Sequence, residues 1–229
     1  MSIALNIEAS PELNAPALQV VPRPATLSWA KFNSALKAAL IVCSDDETLP
    51  NLNSLLIKSD GASLIIVSTD GHRLVKMTLR ACLCDPFEFM LSRKDARQLA
   101  LVVPPRRTKR DRGPEPEMSV NFYHGRAFFV SDACHYPYVP VTDRMFPPYE
   151  EVIPAPATAG DDGTRQIASA VGFAAEYLRD LGTIGKLVGL RNGASPIKIE
   201  LAKHPLDPMR AEIVGDDIET IYVLMPIRL

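Results

Sequence analysis

The chain has 229 residues, enough for one or two domains with a substantial buried core. Its 25 Lys and Arg residues nearly balance its 27 Asp and Glu residues, so overall charge gives no reason to expect a nucleic-acid-binding protein, although a local basic surface is compatible with it. No apolar run approaches the roughly 18 residues that span a bilayer, and the N-terminus lacks the basic region of a signal peptide, so we expect a cytoplasmic protein without a membrane partner.

The first predicted elements are an extended lead-in, a helix and three strands. Residues 1–24 are rich in proline and predict the lead-in. Apolar side chains then recur at helical spacing over residues 28–43, and Ser28 suits the N-cap position. Two Asp-Gly turn signals separate three short apolar runs, which predicts a pair of hairpins. The predicted strands are residues 52–59, 63–69 and 72–79.

The same order of elements recurs twice further along the chain. The second unit has predicted strands at 87–92, 117–124 and 126–133, and a helix at 92–103 that Ser92 caps. The third has predicted strands at 165–171, 196–202, 209–215 and 218–229, and a short helix at 173–184. The chain therefore predicts three β-α-β-β-β modules of about 60 residues each. Only the order of elements repeats, because the residues themselves differ.

A charged, proline-rich loop separates the second helix from the strand that follows it. Residues 104–117 combine basic, acidic and proline residues and predict a solvated excursion. The alternative is a flexible arm that contacts phosphate groups. Its basic residues are Arg106, Arg107, Lys109, Arg110 and Arg112.

The sequence contains no convincing catalytic or metal-binding pattern. The four cysteines, none in C-x-x-C spacing, predict small core residues rather than a redox or metal site. The histidines show no metal-ligand spacing, and no nucleophile-elbow, Walker or dinucleotide-binding motif is present. Asp45, Asp46 and Glu47 directly follow a predicted helix, which favours a solvated linker over a metal site. We therefore expect no enzyme, no cofactor and no metal. The cysteines are Cys43, Cys82, Cys84 and Cys134.

Four passages, in order, resemble the bacterial replicative DNA sliding clamp family, the β subunit of the replicative DNA polymerase. "STDGHRLVKM" (68–77) resembles a motif of the family's middle domain, and "MFPPYEEVIP" (145–154) resembles the segment that ends that domain. "FAAEYLRDL" (173–181) resembles a helix motif of the last domain, although Ala174 replaces the usual Asn. "YVLMPIRL" (222–229) resembles the family's terminal strand. The resemblance covers about residues 25–229.

The resemblance implies an α+β fold, the DNA-clamp fold, with repeated β-α-β-β-β modules whose helices line an inner face and whose antiparallel sheets lie outside. After the lead-in at 1–24, residues 25–155 resemble the complete middle domain, which has two modules. Residues 156–163 are then a linker, and 164–229 resemble only the second half of the last domain. Family chains have three domains of two modules each, so the other modules have no counterpart here.

The resemblance also implies a function. Clamps of this family are closed rings of twelve modules whose sheet edges pair between chains. Three modules per chain imply a homotetrameric ring that encircles duplex DNA without regard to sequence and acts as a processivity factor. The alternative is a clamp-like regulator or decoy that binds clamp partners without encircling DNA.

A pocket for partner peptides follows from the same resemblance. The family binds DNA polymerase, clamp loader and repair proteins through short linear clamp-binding peptides with apolar anchors. Without the resemblance, the C-terminal residues predict an ordinary edge strand. The matching pocket positions are Leu52, Thr69, Gly71, His72, Arg73, Leu74, Pro147, Val152, Val223, Met225, Pro226, Ile227 and Arg228. Among them, His72 and Arg73 are expected to be exposed hydrogen-bond donors at the rim.

Basic residues on the predicted helices are the candidates for DNA contact. They lie opposite the apolar stripes, where a ring would face DNA, and would bind phosphates independently of sequence. The alternative is an ordinary solvated surface. The helical candidates are Lys31, Lys37, Arg93, Lys94 and Arg97, and the loop adds Arg106, Arg107, Lys109 and Arg110.

Overall fold

The computed structural model describes residues 22–81, 84–102, 113–132, 134–142, 144–156, 170–189, 196–202, 204–213, 215 and 217–227. Most of the predicted lead-in, the basic part of the 104–117 loop and most of the predicted strand at 165–171 lie outside this part of the chain.

The first module contains the predicted helix and both predicted hairpins. Ser28 caps the helix, since its Oγ accepts a hydrogen bond from the Lys31 amide at 3.4 Å. The strand after Asp70 begins at Arg73 rather than at His72, because both amides bind the Asp70 carboxylate and hold His72 in the turn. The elements are β1 (Ala25–Ser28), α1 (Trp29–Val42), β2 (Ser54–Ser59), β3 (Ser63–Thr69) and β4 (Arg73–Arg80).

The second module follows the prediction and adds one strand. Ser92 caps its helix by accepting from the Asp95 amide at 3.1 Å. The added strand, β8, carries Pro137, which breaks the sequence signal for a strand but is tolerated at a sheet edge. The elements are β5 (Phe87–Ser92), α2 (Arg93–Leu101), β6 (Glu117–Tyr123), β7 (Arg126–Ser131), β8 (Cys134–Tyr138) and a 3-10 turn (Tyr149–Val152).

The third module has a longer helix and a shorter last strand than predicted. Its helix, α3, continues through Lys186 to Val188. The last strand ends at Leu224; one further ladder bond, from the Met225 amide to the His72 carbonyl at 2.9 Å, follows before Pro226, which has no amide hydrogen to donate. The elements are α3 (Ala175–Val188), β9 (Ile197–Glu200), β10 (Met209–Ile213) and β11 (Ile218–Leu224).

Two antiparallel sheets connect the modules. The first has the order β1-β6-β7-β8 and the second the order β5-β2-β3-β4-β11-β10-β9. The first two modules thus exchange their first strands, since β1 pairs with β6 and β5 pairs with β2. The third module joins the first through β4 and β11, which pair over seven residues. The second sheet is therefore continuous across the junction between these two modules.

The helices cover the sheets and share one core. α1 packs against both α2 and α3, and Phe32 and Leu36 in its middle are almost fully buried. Cys43 and Cys84 are buried in the same core, as expected, whereas the side chains of the other two cysteines lie outside the described part. Within that part, no helix combines the length and the apolar character needed to cross a membrane.

Candidate functional site

An apolar cavity lies where the first and third modules meet. Its volume is about 160 Å³, and it is bounded by the start of β4, the end of β11 and the 3-10 turn. The structure brings ten of the thirteen residues that the sequence predicted into this one cavity, although they come from four separate stretches of chain. They are Leu52, Thr69, Gly71, His72, Arg73, Leu74, Pro147, Val152, Val223 and Met225.

Strand pairing and a tight turn build the cavity walls. Val223 of β11 lies directly opposite Leu74 of β4, so the two modules contribute neighbouring apolar side chains. Gly71 has a φ of 89°, a conformation that glycine adopts readily. The Thr69 hydroxyl donates to the Arg73 carbonyl at 2.7 Å and accepts from the Gly71 amide at 3.1 Å. The turn is therefore held by its own hydrogen bonds, which leaves a mostly apolar surface facing the cavity.

Arg73 is a structural link rather than the exposed donor at the rim that the sequence suggested. Only 10% of its side chain is exposed. Its guanidinium forms ion pairs with Asp70 at 2.9 Å and with Asp180 of α3 at 2.7 Å, and it donates to the Ile41 carbonyl at 3.0 Å. It also lies 4.4 Å from the ring centre of Tyr177. Arg73 therefore fastens the third module to the end of α1.

The charges around Arg73 favour its ionised form. Burial alone lowers the pKa of this guanidinium, but the hydrogen bonds that it donates to Asp180 and Asp70 outweigh burial and raise the pKa above its ordinary value. Nearby, burial raises the pKa of Tyr222 to about 12, against the opposing effect of Arg73. The Tyr222 hydroxyl donates to the Tyr177 carbonyl at 3.2 Å. The junction is thus charged at Arg73 and neutral at Tyr222 over the physiological pH range.

Tyr149 is a cavity residue that the sequence reasoning missed. It stands in the "FPPYEEVIP" passage, between the predicted pocket positions Pro147 and Val152. Its side chain is 7% exposed, and burial raises the pKa of its hydroxyl to about 12. It also lines a second, larger depression of about 550 Å³, which shares Pro147 and Tyr149 with the first. The Tyr149 ring therefore forms the wall between the two.

Of the last three predicted pocket residues, Pro226 and Ile227 do not line the cavity. Pro226 follows Met225 beyond the end of β11, and Ile227 pairs with Gly172 through its backbone. Arg228 lies outside the described residues.

Some of the basic residues proposed for DNA contact are exposed, and others already contact residues of the same chain. Lys94 and Arg97 of α2 are exposed, and Lys37 of α1 is half-buried. Lys31 instead forms an ion pair with Asp217 at 2.5 Å, and Arg93 donates to the Cys43 carbonyl at the end of α1. The structure adds exposed Arg179 and Lys186 on α3, which the sequence reasoning did not select. Arg106, Arg107, Lys109 and Arg110 lie outside the described residues.

Among the described residues, no group of three or more His, Cys, Asp and Glu side chains is placed to hold a metal ion. In the acidic stretch after α1, the Asp46 carboxylate accepts hydrogen bonds from the amide and hydroxyl of Thr48. These bonds lower the pKa of Asp46, the one to the hydroxyl most strongly. Asp45, Asp46 and Glu47 are all exposed, which is typical of a solvated turn.

Two curated proteins resemble parts of the sequence. The chain is 35% identical over 94 residues to the Beta sliding clamp of Synechocystis, which is 40% of this chain and 24% of that protein. It is 33% identical over 72 residues to the Beta sliding clamp of Micrococcus luteus, which is 31% of this chain and 23% of that protein. The chain thus matches about a quarter of the length of these relatives. No family model matches the sequence.

Solved structures resemble the fold over most of the chain. A DNA polymerase sliding clamp from Pseudomonas aeruginosa matches with a TM-score of 0.70 at 18% identity, over 90% of this chain and 67% of that one. The DNA polymerase III β subunit from Thermotoga maritima matches with a TM-score of 0.68 at 17% identity, over 96% and 69%. The chain therefore has the α+β fold of these sliding clamps, and parts of its sequence are similar to two Beta sliding clamps.

Proposed function

We propose that this chain belongs to the bacterial sliding clamps and is a processivity factor that encircles duplex DNA and tethers replication or repair proteins. The observation that carries the proposal is the apolar cavity between β4 and β11, since ten residues selected for a partner-peptide pocket line one cavity. The two curated relatives and the Pseudomonas aeruginosa structure are named as sliding clamps, and the Thermotoga maritima structure is named as a DNA polymerase III β subunit. The proposal includes no catalytic activity, cofactor or metal.

The cavity suits the apolar anchor of a linear peptide. Sites for whole small molecules usually measure about 300–1,000 Å³, so a volume of about 160 Å³ suits a side chain better than a complete ligand. Val223 and Leu74 supply an apolar wall, and Met225 supplies a flexible one that adapts to different partners. Exposed His72 stands at the rim, where it can contact the peptide outside the cavity. The expected partners are clamp-binding peptides of a polymerase, a clamp loader and repair proteins.

We place DNA on the helical side of the molecule. The exposed cations on this side are Lys94 and Arg97 on α2 and Arg179 and Lys186 on α3. Side chains of this kind contact phosphates without reading base sequence, and the binding weakens as salt rises. Lys31 and Arg93 are assigned a smaller part, because Asp217 and the Cys43 carbonyl already engage them.

The domain organisation we propose has a two-module domain at 25–155 and a single module at 164–229. With three modules in each chain, four chains supply the twelve modules of a closed ring. Sheet edges in separate chains pair readily, which makes them suitable ring contacts. Sedimentation equilibrium at micromolar concentration tests this arrangement. We expect the mass of four chains, and a monomer would contradict the ring.

The pocket assignment has its own test. Deleting residues 225–229 removes Met225 from the cavity and the chain that continues beyond it. We expect this truncated chain to lose binding of a fluorescent clamp-binding peptide while the fold, monitored by circular dichroism, persists. The matched control is Leu206→Ala, which alters an exposed apolar side chain of the same module that does not line the cavity. Unchanged affinity in the truncated chain contradicts the assignment.

A further inference from the structure

Among the described residues, the edge of the third module is open at a position that is filled in the second. In the second module, β6 is flanked by β7 on one side and by β1 on the other. The third module has the matching order β9-β10-β11, but no described strand occupies the place beside β9 that β1 occupies beside β6. An end strand presents backbone groups that can pair with another strand. The third module therefore offers a pairing site, whereas the corresponding sites of the first two modules are occupied by each other's first strands.

The two faces of β9 differ sharply in chemistry. A Cβ placed on Gly185 of α3 would lie 3.3 Å from Ile197 Cδ1, so Ile197 faces the helix layer. Because side chains alternate along a strand, Ile199 shares that face, yet it is 50% exposed. Lys198 and Glu200 share the opposite face, where Lys198 Nζ lies 2.5 Å from the Glu200 carboxylate. The strand thus has an incompletely covered apolar face and a charged face.

The sequence of this strand is complementary to itself. In an antiparallel pair centred on Ile199, that residue faces Ile199 of the second copy, and Lys198 faces Glu200 of the second copy. Ile197 then faces Leu201, so apolar residues meet on one face and opposite charges meet on the other. Directly opposite pairs of both kinds stabilise antiparallel sheets.

Neighbouring registers lack this complementarity. A shift that moves the centre to Lys198 places two lysines opposite each other, and a shift to Glu200 places two glutamates opposite each other. A shift of the partner strand by a single residue, which places Ile199 opposite Lys198, puts apolar side chains of one strand on the charged face of the other. Only the pairing centred on Ile199 satisfies both faces.

We propose that β9 is a self-association edge, which pairs antiparallel with β9 of a second copy about a two-fold axis at Ile199. The pairing joins two seven-stranded sheets into one and covers Ile199. It is an isologous contact, so it joins two chains, and a closed ring of four requires another interface elsewhere on the molecule. The inference does not depend on binding of DNA or of a peptide.

Charge exchange between two variants tests the pairing. Lys198→Glu alone places two glutamates opposite each other across the axis, and Glu200→Lys alone places two lysines opposite each other. Each variant is therefore expected to have half the mass of the wild type. When the two variants are mixed in equal amounts, the glutamates at 198 and 200 of one chain lie opposite the lysines at 200 and 198 of the other. We therefore expect the mixture to regain the wild-type mass. A contribution within one chain cannot be restored by mixing. If circular dichroism shows both variants folded, a mixture that keeps the lower mass contradicts the proposal.

A cross-link at the axis gives a second test in a nearly unaltered chain. Directly opposite Cα atoms in an antiparallel sheet are about 4.5–5.5 Å apart, within the range for a disulfide. Ile199→Cys should therefore form a covalent dimer under mild oxidation. Leu206→Cys, at an equally exposed apolar position outside the strand, and the wild type with its native cysteines are the controls.

The cross-linking result is decisive in both directions. A dimer fraction in Ile199→Cys well above both controls supports the pairing. A dimer fraction equal to that of the controls overturns the pairing, and the edge of β9 would then bind another segment of the chain or another protein. All these masses are measured without DNA, so failure of the edge pairing and failure of the clamp function are distinguished.

Discussion

The ion pair between Arg73 and Asp180 gives the sharpest test of how the third module is held. Asp180→Asn keeps the size of the side chain but removes its charge. Arg73 would retain Asp70 and the Ile41 carbonyl and would lose its only described ion pair with α3. The change therefore weakens the docking of the third module without removing the arginine.

The expected loss of stability follows from the geometry of this pair. The Arg73 and Asp180 side chains are 10% and 19% exposed, and their atoms are 2.7 Å apart. Hydrogen bonds to charged groups contribute about 1.5–3 kcal/mol when the groups are shielded from water. Because Arg73 keeps two other partners, we expect a loss of about 2 kcal/mol. For a domain of this size, that loss lowers the melting temperature by about 4–8 °C.

The assay combines urea unfolding with peptide titration. The matched control is Glu176→Gln, which removes one negative charge from an exposed position of the same helix. We expect Asp180→Asn to lose stability and to bind the clamp-binding peptide several-fold more weakly, because β11 forms one wall of the cavity. If Asp180→Asn unfolds at the same urea concentration as the control, the reasoning about Arg73 is wrong.

Three further predictions concern other parts of the molecule. Replacing Lys94 and Arg97 with alanine should lower the slope of log DNA affinity against log salt by about 1.8, since each phosphate contact contributes about 0.9; an equal decrease in the control Arg126→Ala would contradict this placement of DNA. Burial raises the pKa of Tyr222 to about 12 from an ordinary value near 10, so its contribution to stability is complete below pH 10 and is lost between pH 10 and 12. Tyr222→Phe should therefore show a shallower alkaline loss of unfolding free energy, and identical profiles would contradict the assignment. Gly71→Ala should destabilise the protein by about 1 kcal/mol in urea unfolding, because φ is 89° there, whereas Gly113→Ala, in open space, should not; equal effects would contradict this.

Local signals made much of the fold predictable. Ser28 and Ser92 cap their helices through hydrogen bonds to residues three positions along the chain, so their sequence neighbourhood contains the whole interaction. The Asp-Gly turns at 60 and 70 are equally local. β8 was missed because Pro137 obscures its pattern, and its place at a sheet edge is set by partners elsewhere.

The candidate site depends on contacts that a single sequence does not display. The sequence passages could nominate Leu74 and Val223, but only the pairing of β4 with β11 brings them together. Arg73 was predicted as an exposed donor because its partner, Asp180, is 107 residues away. Likewise, the position of Lys31 on its helix predicts a side chain that faces DNA, whereas its ion pair with Asp217 joins residues 186 positions apart.

Retention on closed DNA tests the central proposal most directly. The protein would be incubated with nicked circular duplex DNA, and with the same DNA linearised, at moderate salt. It would then pass through a gel-filtration column that separates free protein from DNA. A ring that encircles the duplex should remain with the circle and slide off the ends of the linear molecule. Equal retention on both forms, or on neither when the protein is assembled, contradicts the proposal that this chain is a sliding clamp.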